Sequence, residues 1–256
     1  MPIFVGKIGY ERVSFYCQLR AAIMRIKKED IIIPLALVTA WSVLIAGLYF
    51  FAWHSEKNHT KERILIEARS FFNQIVLTRQ WNAGHGGVYV IVSDETLPNP
   101  YLDIPDRDII TREGMLLTKI NPAYMTRQIS EIASASSDLR FSITSLNPLR
   151  PQNRADDWES DSLHLFEAGH RETFAFTEDN NQHYFRYMAP LVTEDACLSC
   201  HAKQGYQQGD IRGGISVTFP VDFVLASEKN RLKTLGAVFL LILIIGAAGI
   251  LFGSYR

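Results

Sequence analysis

The stretch that runs from Ile31 to Trp53, IIIPLALVTAWSVLIAGLYFFAW, contains no Asp, Glu, Lys or Arg over its whole length. As an α-helix with a rise of about 1.5 Å per residue it is roughly 35 Å long, which exceeds the ~30 Å hydrocarbon core of a bilayer. Pro34 lies in the first turn, where a missing N–H costs little, and Tyr49 lies near the far end, where aromatic side chains favour the membrane interface. The stretch therefore predicts a transmembrane helix, retained as an anchor because its apolar run is too long for a signal peptide.

A second uncharged stretch, Leu235–Tyr255, predicts another transmembrane helix by the same criterion. Gly249 and Gly253 lie four positions apart within it. A pair of small residues at this spacing is typical of a helix face that packs against another membrane helix. The outer part of the protein is therefore expected to lie between two membrane anchors.

The charges before the first stretch predict its orientation. Arg25, Lys27 and Lys28 lie directly before it, and basic residues accumulate on the cytoplasmic side of membrane helices. We therefore expect a bacterial inner-membrane protein with a cytoplasmic N-terminus and a periplasmic outer domain. Apolar residues that recur every three or four positions before the first stretch predict an amphipathic helix on the inner leaflet, although a helical lead-in to the span explains the same pattern. The domain boundaries are 1–30 for the N-terminal segment, 31–53 and 235–255 for the transmembrane helices, and 54–234 for the periplasmic domain.

Composition excludes several classes of protein. The 26 Lys and Arg residues nearly balance the 27 Asp and Glu residues, whereas a nucleic-acid-binding protein usually carries a basic excess. The hydrophobic fraction of 47% is too high for a disordered chain, and three cysteines are too few for a framework of disulfides. The sequence shows no nucleophile with a neighbouring base, no paired carboxylates and no catalytic metal motif, so we expect no enzymatic activity.

The pattern of the outer segment predicts an α+β fold. Residues 56–81 keep a helical spacing of apolar residues, and Asn121 followed by Pro122 predicts the start of a second helix with Asn121 as its N-cap. A third helix is predicted over 158–168. Short β-rich runs predict four or five antiparallel strands, among them a hairpin with a polar turn at 178–181. We therefore expect an antiparallel sheet with flanking helices on one face, inserted between the two transmembrane helices.

The residues Cys197-Leu198-Ser199-Cys200-His201 form the pattern C-x-x-C-H, which is the attachment signature of c-type haem. Two thiols at this spacing reach both vinyl groups of one porphyrin, and the adjacent His201 ligates the iron from one face. A zinc ribbon would need a second cysteine pair, whereas the other cysteine, Cys17, lies across the predicted membrane. A thioredoxin-type redox pair would not need the histidine, and a structural disulfide between Cys197 and Cys200 stays an alternative outside the cytoplasm. The pattern therefore predicts one covalently bound haem c.

A haem also needs contacts beyond its attachment motif. The guanidinium of arginine matches the carboxylates of the haem propionates, and methionine or histidine can be the second axial ligand of the iron. An open or water-filled sixth position is an alternative that would suit gas or redox sensing. The candidate propionate and pocket residues are Arg127, Arg150, Arg186, Arg212, Trp81 and Tyr206. The candidate sixth ligands are Met188, Met125 and His85.

A series of short motifs is distributed in order through the outer segment. The motifs are Trp81-Asn82-Ala83, Gly86-Gly87-Val88-Tyr89-Val90, Asn99-Pro100-Tyr101-Leu102, Asn121-Pro122-Ala123-Tyr124-Met125-Thr126-Arg127-Gln128, Thr144-Ser145-Leu146-Asn147-Pro148-Leu149-Arg150-Pro151, Trp158-Glu159, Tyr187-Met188-Ala189-Pro190-Leu191, Cys197 to His201, Gly205-Tyr206 and Gly209-Asp210-Ile211-Arg212-Gly213-Gly214. In this order they resemble the haem-c-binding, PAS-like extracytoplasmic domains of bacterial membrane sensors and small cyanobacterial cytochromes. The resemblance implies a PAS-like antiparallel sheet that holds one haem c, with His201 as an iron ligand.

Two hypotheses for function follow from the haem motif, the resemblance and the predicted membrane helices. In the first, the protein is a membrane-anchored haem c sensor of redox state or of a small ligand. It would act through a partner, because we expect no kinase or cyclase module of the kind common in the family after the second helix. In the second, it is a membrane-bound cytochrome c, either an electron carrier or an accessory subunit of a respiratory or photosynthetic complex. The expected partners are the lipid bilayer and a membrane protein or a second copy of the chain, and no nucleic acid.

Overall fold

A computed structural model of the protein describes residues 28–195, 197–198, 202 and 205–255, so most of the predicted amphipathic segment 1–30 lies outside the described residues. The chain divides into two units, one made of Met1–Asn58 with Glu228–Arg256 and the other of His59–Ser227. The described helices are α1 (Lys28–Gly84), α2 (Pro122–Ser137), α3 (Asp157–Glu167) and α4 (Asp222–Ser254). The described strands are β1 (Val88–Ile91), β2 (Asp108–Ile110), β3 (Leu116–Ile120), β4 (Arg140–Thr144), β5 (Thr173–Asp179), β6 (Gln182–Val192) and β7 (Ile211–Pro220).

Two helices, α1 and α4, are long and apolar enough to cross a membrane. The uncharged stretch 31–53 lies inside α1, and nearly all of 235–255 lies inside α4. Large apolar side chains of both stretches point outward; Phe51 is 72% exposed and Ile245 is 62% exposed. Removing apolar surface from water stabilises a protein by about 25 cal/mol per Å². The two helices are therefore compatible with membrane anchoring.

Within the first unit, α1 and α4 touch at several points. The contacting pairs are Tyr49 with Phe239, Glu56 with Arg231, and Trp41 with Gly246. The indole of Trp41 lies so close to Gly246 that a Cβ on this residue would collide with the ring. The predicted small-residue pair, Gly249 and Gly253, instead has open space around it among the described residues. Its predicted packing against another membrane helix therefore stays a prediction.

The second unit contains two antiparallel sheets. The smaller sheet has the strand order β1-β3-β2 and the larger one has the order β4-β7-β6-β5. The α+β expectation is thus confirmed at the level of mixed helices and antiparallel sheets. The described strands exceed the predicted four or five because β2 and β3 were not foreseen. Strand β2 is only three residues long and is held by its pairing with β3, so it has no alternating pattern that sequence reading can detect.

The hairpin of β5 and β6 is longer and tighter than the sequence predicts. Its strands pair as far as Asp179 with Gln182, which leaves only Asn180 and Asn181 in the loop. Both asparagines have positive φ, of 50° and 64°. A two-residue turn of this kind matches the right-handed twist of the flanking strands, and asparagine tolerates the left-handed conformation. The predicted polar turn at 178–181 therefore shrinks to its last two residues.

The ends of two helices follow the sequence signals. The Asn121 side chain accepts a hydrogen bond of 2.9 Å from the backbone N–H of Tyr124, and Pro122 is the first helical residue of α2, as predicted. Helix α3 lies within one residue of the predicted 158–168, and Gly169 follows it with a φ of 98°. That conformation favours glycine, which explains why the helix ends there.

The larger sheet buries both of its faces. Phe185 and Tyr187 of β6 belong to the main apolar cluster, which includes Ile64 and Ala68 of α1. Met188 points to the other face and packs with α3 in a second cluster. Successive side chains of a strand alternate between faces, so β6 serves both clusters. Helices therefore cover both faces of this sheet, and the expectation of helices on one face alone is wrong.

One ion pair on the α1 side has a predictable pH dependence. Arg69 donates two hydrogen bonds to the Glu172 carboxylate, at 2.9 and 2.6 Å, and the Tyr187 hydroxyl donates a third at 2.9 Å. The bonds from Arg69, with a smaller part from Tyr187, hold the pKa of Glu172 below its usual value of 4.5. A carboxylate with a lowered folded-state pKa stabilises the fold above its unfolded pKa, and this contribution is lost as the pH falls through the folded-state pKa.

We expect Glu172→Gln to lower the free energy of unfolding by about 1 kcal/mol at neutral pH, a value limited by partial solvent exposure of the pair. The difference from the unchanged protein should shrink as the pH falls below about 4.5 and vanish once the pH lies below the folded-state pKa of Glu172. Chemical unfolding of the full chain in detergent, at several pH values, measures this. Glu113→Gln is the control, because Glu113 lies exposed in the turn between β2 and β3. A difference that stays constant down to pH 3 would contradict the assignment.

Candidate functional site

The haem motif begins in a short helical turn after β6. Cys197 is described and partly buried, and its backbone N–H donates to the carbonyl of Glu194 at 2.9 Å. Cys200 and His201 lie outside the described residues. The predicted attachment through both cysteines and the predicted ligation by His201 therefore stay predictions. What the structure describes is the framework around Cys197.

The segment that carries the motif leaves and rejoins the larger sheet at the same edge. Thr193 follows β6, its N–H donates to the carbonyl of Asp210 at 2.8 Å, and its carbonyl accepts from Gly209 at 3.0 Å. Asp210 also accepts a 2.7 Å hydrogen bond from the backbone of Gln207 through its carboxylate. These bonds join the two ends of the segment, which contains Cys197, between β6 and β7.

The end of β4 lies at the same edge of the sheet. The Ser145 hydroxyl donates to the carbonyl of Arg212 at 2.9 Å. Gly213 packs so closely on the backbone of Thr144 that a Cβ there would collide with the Thr144 carbonyl oxygen. Glycine is therefore required for this close approach. Residues 144–145 and 212–213 belong to two of the family-like motifs and lie far apart in the chain. The fold brings them into contact beside the haem segment.

The last turns of α1 reach the same region. Gln80 donates to the Glu194 carboxylate at 3.2 Å, which joins the helix to the residues before Cys197. Asn82 is buried and donates from its side chain to the carbonyl of Ile120 at 3.1 Å, directly before α2. The helix end therefore bridges the haem segment and the start of α2. Around Cys197 the arrangement gathers motifs that lie at 81–83, 121–128, 144–151 and 209–214 in the sequence.

Arg79 is the residue at this site that the sequence analysis missed. Its Nη1 donates to the carbonyl of Pro122 at 3.1 Å and to the hydroxyl of Thr126 at 3.2 Å. Burial lowers the pKa of Arg79 to about 10; Cys197 acts in the opposite direction, and the guanidinium of Arg212 acts in the same direction as burial. At neutral pH the side chain remains a cation. Arg79 thus lies within electrostatic range of both Cys197 and a second arginine.

The helical pattern of the sequence could have identified Arg79 as a buried residue. Ile64, Ala68 and Ile75 form the buried stripe of α1, and a helix repeats every 3.6 residues. Arg79 and Asn82 continue this stripe at the next two positions. A charged and an amide side chain in line with an apolar stripe predict a buried polar site, since such groups are costly to bury without partners.

Three buried side-chain oxygens in these segments have no hydrogen-bond partner among the described residues: Asn82 Oδ1, Thr144 Oγ1 and Thr193 Oγ1. Buried polar groups are normally bonded to protein or to a bound group, because an unsatisfied one costs about 1–3 kcal/mol. The two threonine hydroxyls can donate to an anion, whereas Asn82 Oδ1 can only accept a hydrogen bond. Together with the two cations Arg79 and Arg212, the hydroxyls fit a site that holds a negatively charged group beside Cys197.

The candidate pocket residues divide into those near this site and those elsewhere. Arg212 lies over the ring of Tyr206, with its guanidinium carbon 5.7 Å from the ring centroid. Arg186, in contrast, bonds to Asp156 at 2.7 Å and covers Trp158. The structure therefore brings Arg212 and Tyr206 toward the haem segment and holds Arg186 against α3. Of the remaining candidates, Arg127 lies over Tyr124 and pairs with Glu131, Arg150 bonds to Asn153, and Trp81 is exposed and stacks on His85.

The candidate sixth ligands lie in three different surroundings. His85 follows α1, where its Nδ1 is 2.7 Å from the carbonyl oxygen of Trp81. Met125 lies half-buried in the first turn of α2, one position before Thr126. Met188 is fully buried in an apolar cluster with Leu163 and Phe166 of α3. His85 and Met125 are therefore on the two elements that Arg79 and Asn82 connect, whereas Met188 is part of the core packing.

A separate cleft of about 480 Å³ lies between α1 and the region before β5. Its polar lining includes Arg69, Glu172 and Tyr187, which bond to one another as described above. None of the candidate haem residues lines it. Nor does the described part of the chain hold a cluster of three or more His, Cys, Asp or Glu side chains suited to a metal ion. The site beside Cys197 therefore remains the candidate functional site.

Comparison with known proteins identifies the family of the chain. The sequence model of the Tll0287-like family matches residues 56–220, which is more than half of the chain and includes the haem segment. Among solved structures, the crystal structure of the cyanobacterial haem-protein Tll0287 has a TM-score of 0.41 and 16% sequence identity, and the match covers 62% of this chain and 95% of that chain. No curated protein matches the sequence. The extent of the family match shows that the chain belongs to the Tll0287-like family.

Proposed function

We propose that this chain is a membrane-anchored c-type haem protein, with one haem bound through thioethers to Cys197 and Cys200 and with His201 as the proximal iron ligand. The observation that carries the proposal is the pattern C-x-x-C-H inside the segment that the Tll0287-like family matches. The protein that gives this family its name is a haem-protein.

The described residues around Cys197 suit such a group. Haem c carries two propionate carboxylates, and the site offers two cations, Arg79 and Arg212, on different elements. Arginine binds carboxylates with two parallel hydrogen bonds, which gives orientation as well as energy. The closure of the haem segment by Thr193 and Asp210 holds the attachment point against the sheet. When bound, haem would supply one-electron redox chemistry and, at an open coordination position, binding of a small ligand.

We further propose that the protein works as a sensor of redox state or of a small ligand and has no catalytic activity of its own. Two elements link the site to the predicted spans within one chain. Helix α1 contains both the stretch 31–53 and, near its end, Arg79; β7 begins at the site and is followed directly by α4. A change in iron charge or ligation that alters the contacts of Arg79 or Arg212 would bias the position of these elements. A membrane protein or a second copy of the chain would receive the signal.

In the proposed arrangement the protein resides in a bacterial inner membrane, with a cytoplasmic N-terminus and a periplasmic haem domain. The support is the agreement of two independent features. The basic residues Arg25, Lys27 and Lys28 before the first stretch predict this orientation, and haem c is attached on the periplasmic side in bacteria. The hydrophobic stretches make the lipid bilayer a partner.

The experiment is expression of the full chain in a bacterium that matures c-type cytochromes, followed by purification from membranes in detergent. We expect haem that stays with the polypeptide through denaturation and acid–acetone extraction.

A second measurement distinguishes the sensor from the electron carrier: carbon monoxide is added to the reduced protein. Binding of carbon monoxide to the iron, or a change of axial ligand between the oxidised and reduced states, would support the sensor. A six-coordinate haem that ignores carbon monoxide and exchanges electrons rapidly with soluble donors would contradict the sensor and favour the electron carrier. Absence of haem, or zinc in its place, would overturn the whole proposal.

A further inference from the structure

Arg79 occupies an unusual electrostatic position in the described part of the chain. It is partly buried, and its described hydrogen bonds go to two neutral acceptors, the Pro122 carbonyl and the Thr126 hydroxyl. These bonds fix the guanidinium at the start of α2, but they do not neutralise it. No carboxylate among the described residues forms an ion pair with it. Removing a cation from water costs free energy unless an anion lies nearby. We therefore expect an anion to bind beside Arg79.

A second cation, Arg212, further raises the free-energy cost of keeping Arg79 charged without an anion. The positive charge of Arg212 acts on Arg79 and disfavours its charged form. Like charges at close range repel most strongly where water is excluded, so placing two guanidinium groups together costs free energy in the absence of a counter-charge. The Cys197 side chain acts on Arg79 in the opposite direction, as a negative charge would. A thioether at Cys197 carries no charge, so Arg79, which pairs with no described carboxylate, then needs another anion.

Arg79 and Arg212 approach Cys197 from different elements. Arg79 belongs to α1, whose next residue, Gln80, bonds to Glu194 three positions before Cys197. Arg212 belongs to β7, where its carbonyl accepts from Ser145 and its guanidinium lies over Tyr206. A ligand anchored at Cys197 that carries two carboxylates on one edge matches this pair of cations in charge and number.

We propose that Arg79 is a positioning residue for haem, which together with Arg212 binds the propionates and raises the reduction potential of the iron. This inference rests on the proposed function, because it requires haem c at Cys197. Thr126 contributes to this positioning, because its hydroxyl accepts a hydrogen bond from the guanidinium of Arg79. A cation next to the propionates offsets their negative charge, which otherwise stabilises the oxidised iron.

The test compares full-length variants purified from membranes, by titrating the haem absorbance against the electrode potential. Arg79→Gln should keep its haem, because the attachment is covalent, but should have a lower reduction potential. We expect the equilibrium constant for reduction to fall about tenfold, which is 59 mV for a one-electron couple. Arg79→Lys should recover part of the shift, because it restores the charge without the planar fork. Thr126→Val, which removes the anchoring hydroxyl at nearly constant volume, should shift the potential in the same direction by less.

Arg63→Gln is the matched control, because it removes an exposed arginine from the same helix. Its potential should equal that of the unchanged protein. Equal potentials for Arg79→Gln, Thr126→Val and Arg63→Gln, with haem present in all of them, would overturn this inference and leave the proposed function intact. An unchanged protein without haem would overturn the proposed function and this inference with it. Should Arg79→Gln fail to accumulate, Arg79→Lys and Thr126→Val decide the question by the same measurement.

Discussion

Replacing Cys197 and Cys200 together with alanine is expected to leave the purified protein without any covalently bound haem. Both thioether bonds of a c-type haem are made by the cysteines of the C-x-x-C-H pattern, and no other pair of cysteines occurs in the sequence. Haem staining of the denatured polypeptide and its intact mass both measure the loss. Any haem that remains should come away in acid–acetone, because axial ligation alone does not survive denaturation.

Three related variants make this result specific. Cys17→Ala serves as the control and should keep the full amount of haem, because Cys17 lies before the first predicted span. A single change of Cys197 or Cys200 should leave one thioether and an altered absorbance spectrum. His201→Ala should disturb the coordination of the iron more than either single cysteine change, because it removes the proximal ligand. Covalent haem in the double cysteine variant would show that the attachment lies elsewhere and would contradict the site.

Replacing Glu159 with alanine is expected to lower the free energy of unfolding by about 3 kcal/mol. Glu159 is only 5% exposed, and its carboxylate accepts a 2.6 Å hydrogen bond from the equally buried Ser216. Arg186 lies 3.3 Å from the same carboxylate oxygen. The other carboxylate oxygen accepts from the backbone of Asp156 at 3.2 Å, which completes the capping box of α3. Alanine would therefore remove a helix cap and leave Ser216 and Arg186 with fewer partners in the interior.

Unfolding of the full chain in detergent, followed by circular dichroism, gives the size of the loss. Asp161→Ala is the matched control, since Asp161 lies on the same helix but is exposed, and a change at such a site alters stability by less than about 0.5 kcal/mol. Folded Glu159→Ala protein should keep its haem, because the attachment is covalent, and its reduction potential should stay unchanged, because Arg186 lies against Asp156 and Trp158. A change within the range of the Asp161 control would show that Glu159 contributes no buried pair. A changed reduction potential of the folded variant would instead return Arg186 to the candidate propionate ligands.

Some elements of the fold could be predicted because their causes are local. The cap of α2 needs only Asn121 and Pro122 side by side, and the end of α3 needs only the glycine at 169. Strand β2 could not be predicted, because its three residues acquire their conformation from pairing with β3. The second covered face of the larger sheet was missed for a similar reason. The alternation of β6 shows that both faces are apolar, but the position of α3 is set by contacts such as that of Leu163 with Met188.

The candidate site shows the same division between local and distant causes. Cys197, Cys200 and His201 are recognisable because their chemistry depends on adjacent positions in the chain. Arg186 and Arg212 have the same side chain and cannot be ranked from sequence, since their difference comes from what each one meets. Arg186 contacts Asp156 and the face of Trp158, whereas Arg212 lies over Tyr206 and acts electrostatically on Arg79.

The sequence by itself determined the two apolar stretches, the mixed composition of helices and strands between them, and the haem attachment pattern. Each is a property of neighbouring residues: the length of an uncharged run, a period of two or of 3.6 residues, or a spacing of cysteines. Only the tertiary structure decided which polar groups surround Cys197. Gln80 and Glu194 are 114 positions apart, and Arg79 and Thr126 are 47 apart, yet each pair is joined by a hydrogen bond. Such contacts exist only after the end of α1 packs against the haem segment and α2, because the free energy of burial that brings them together belongs to the whole core and not to either residue.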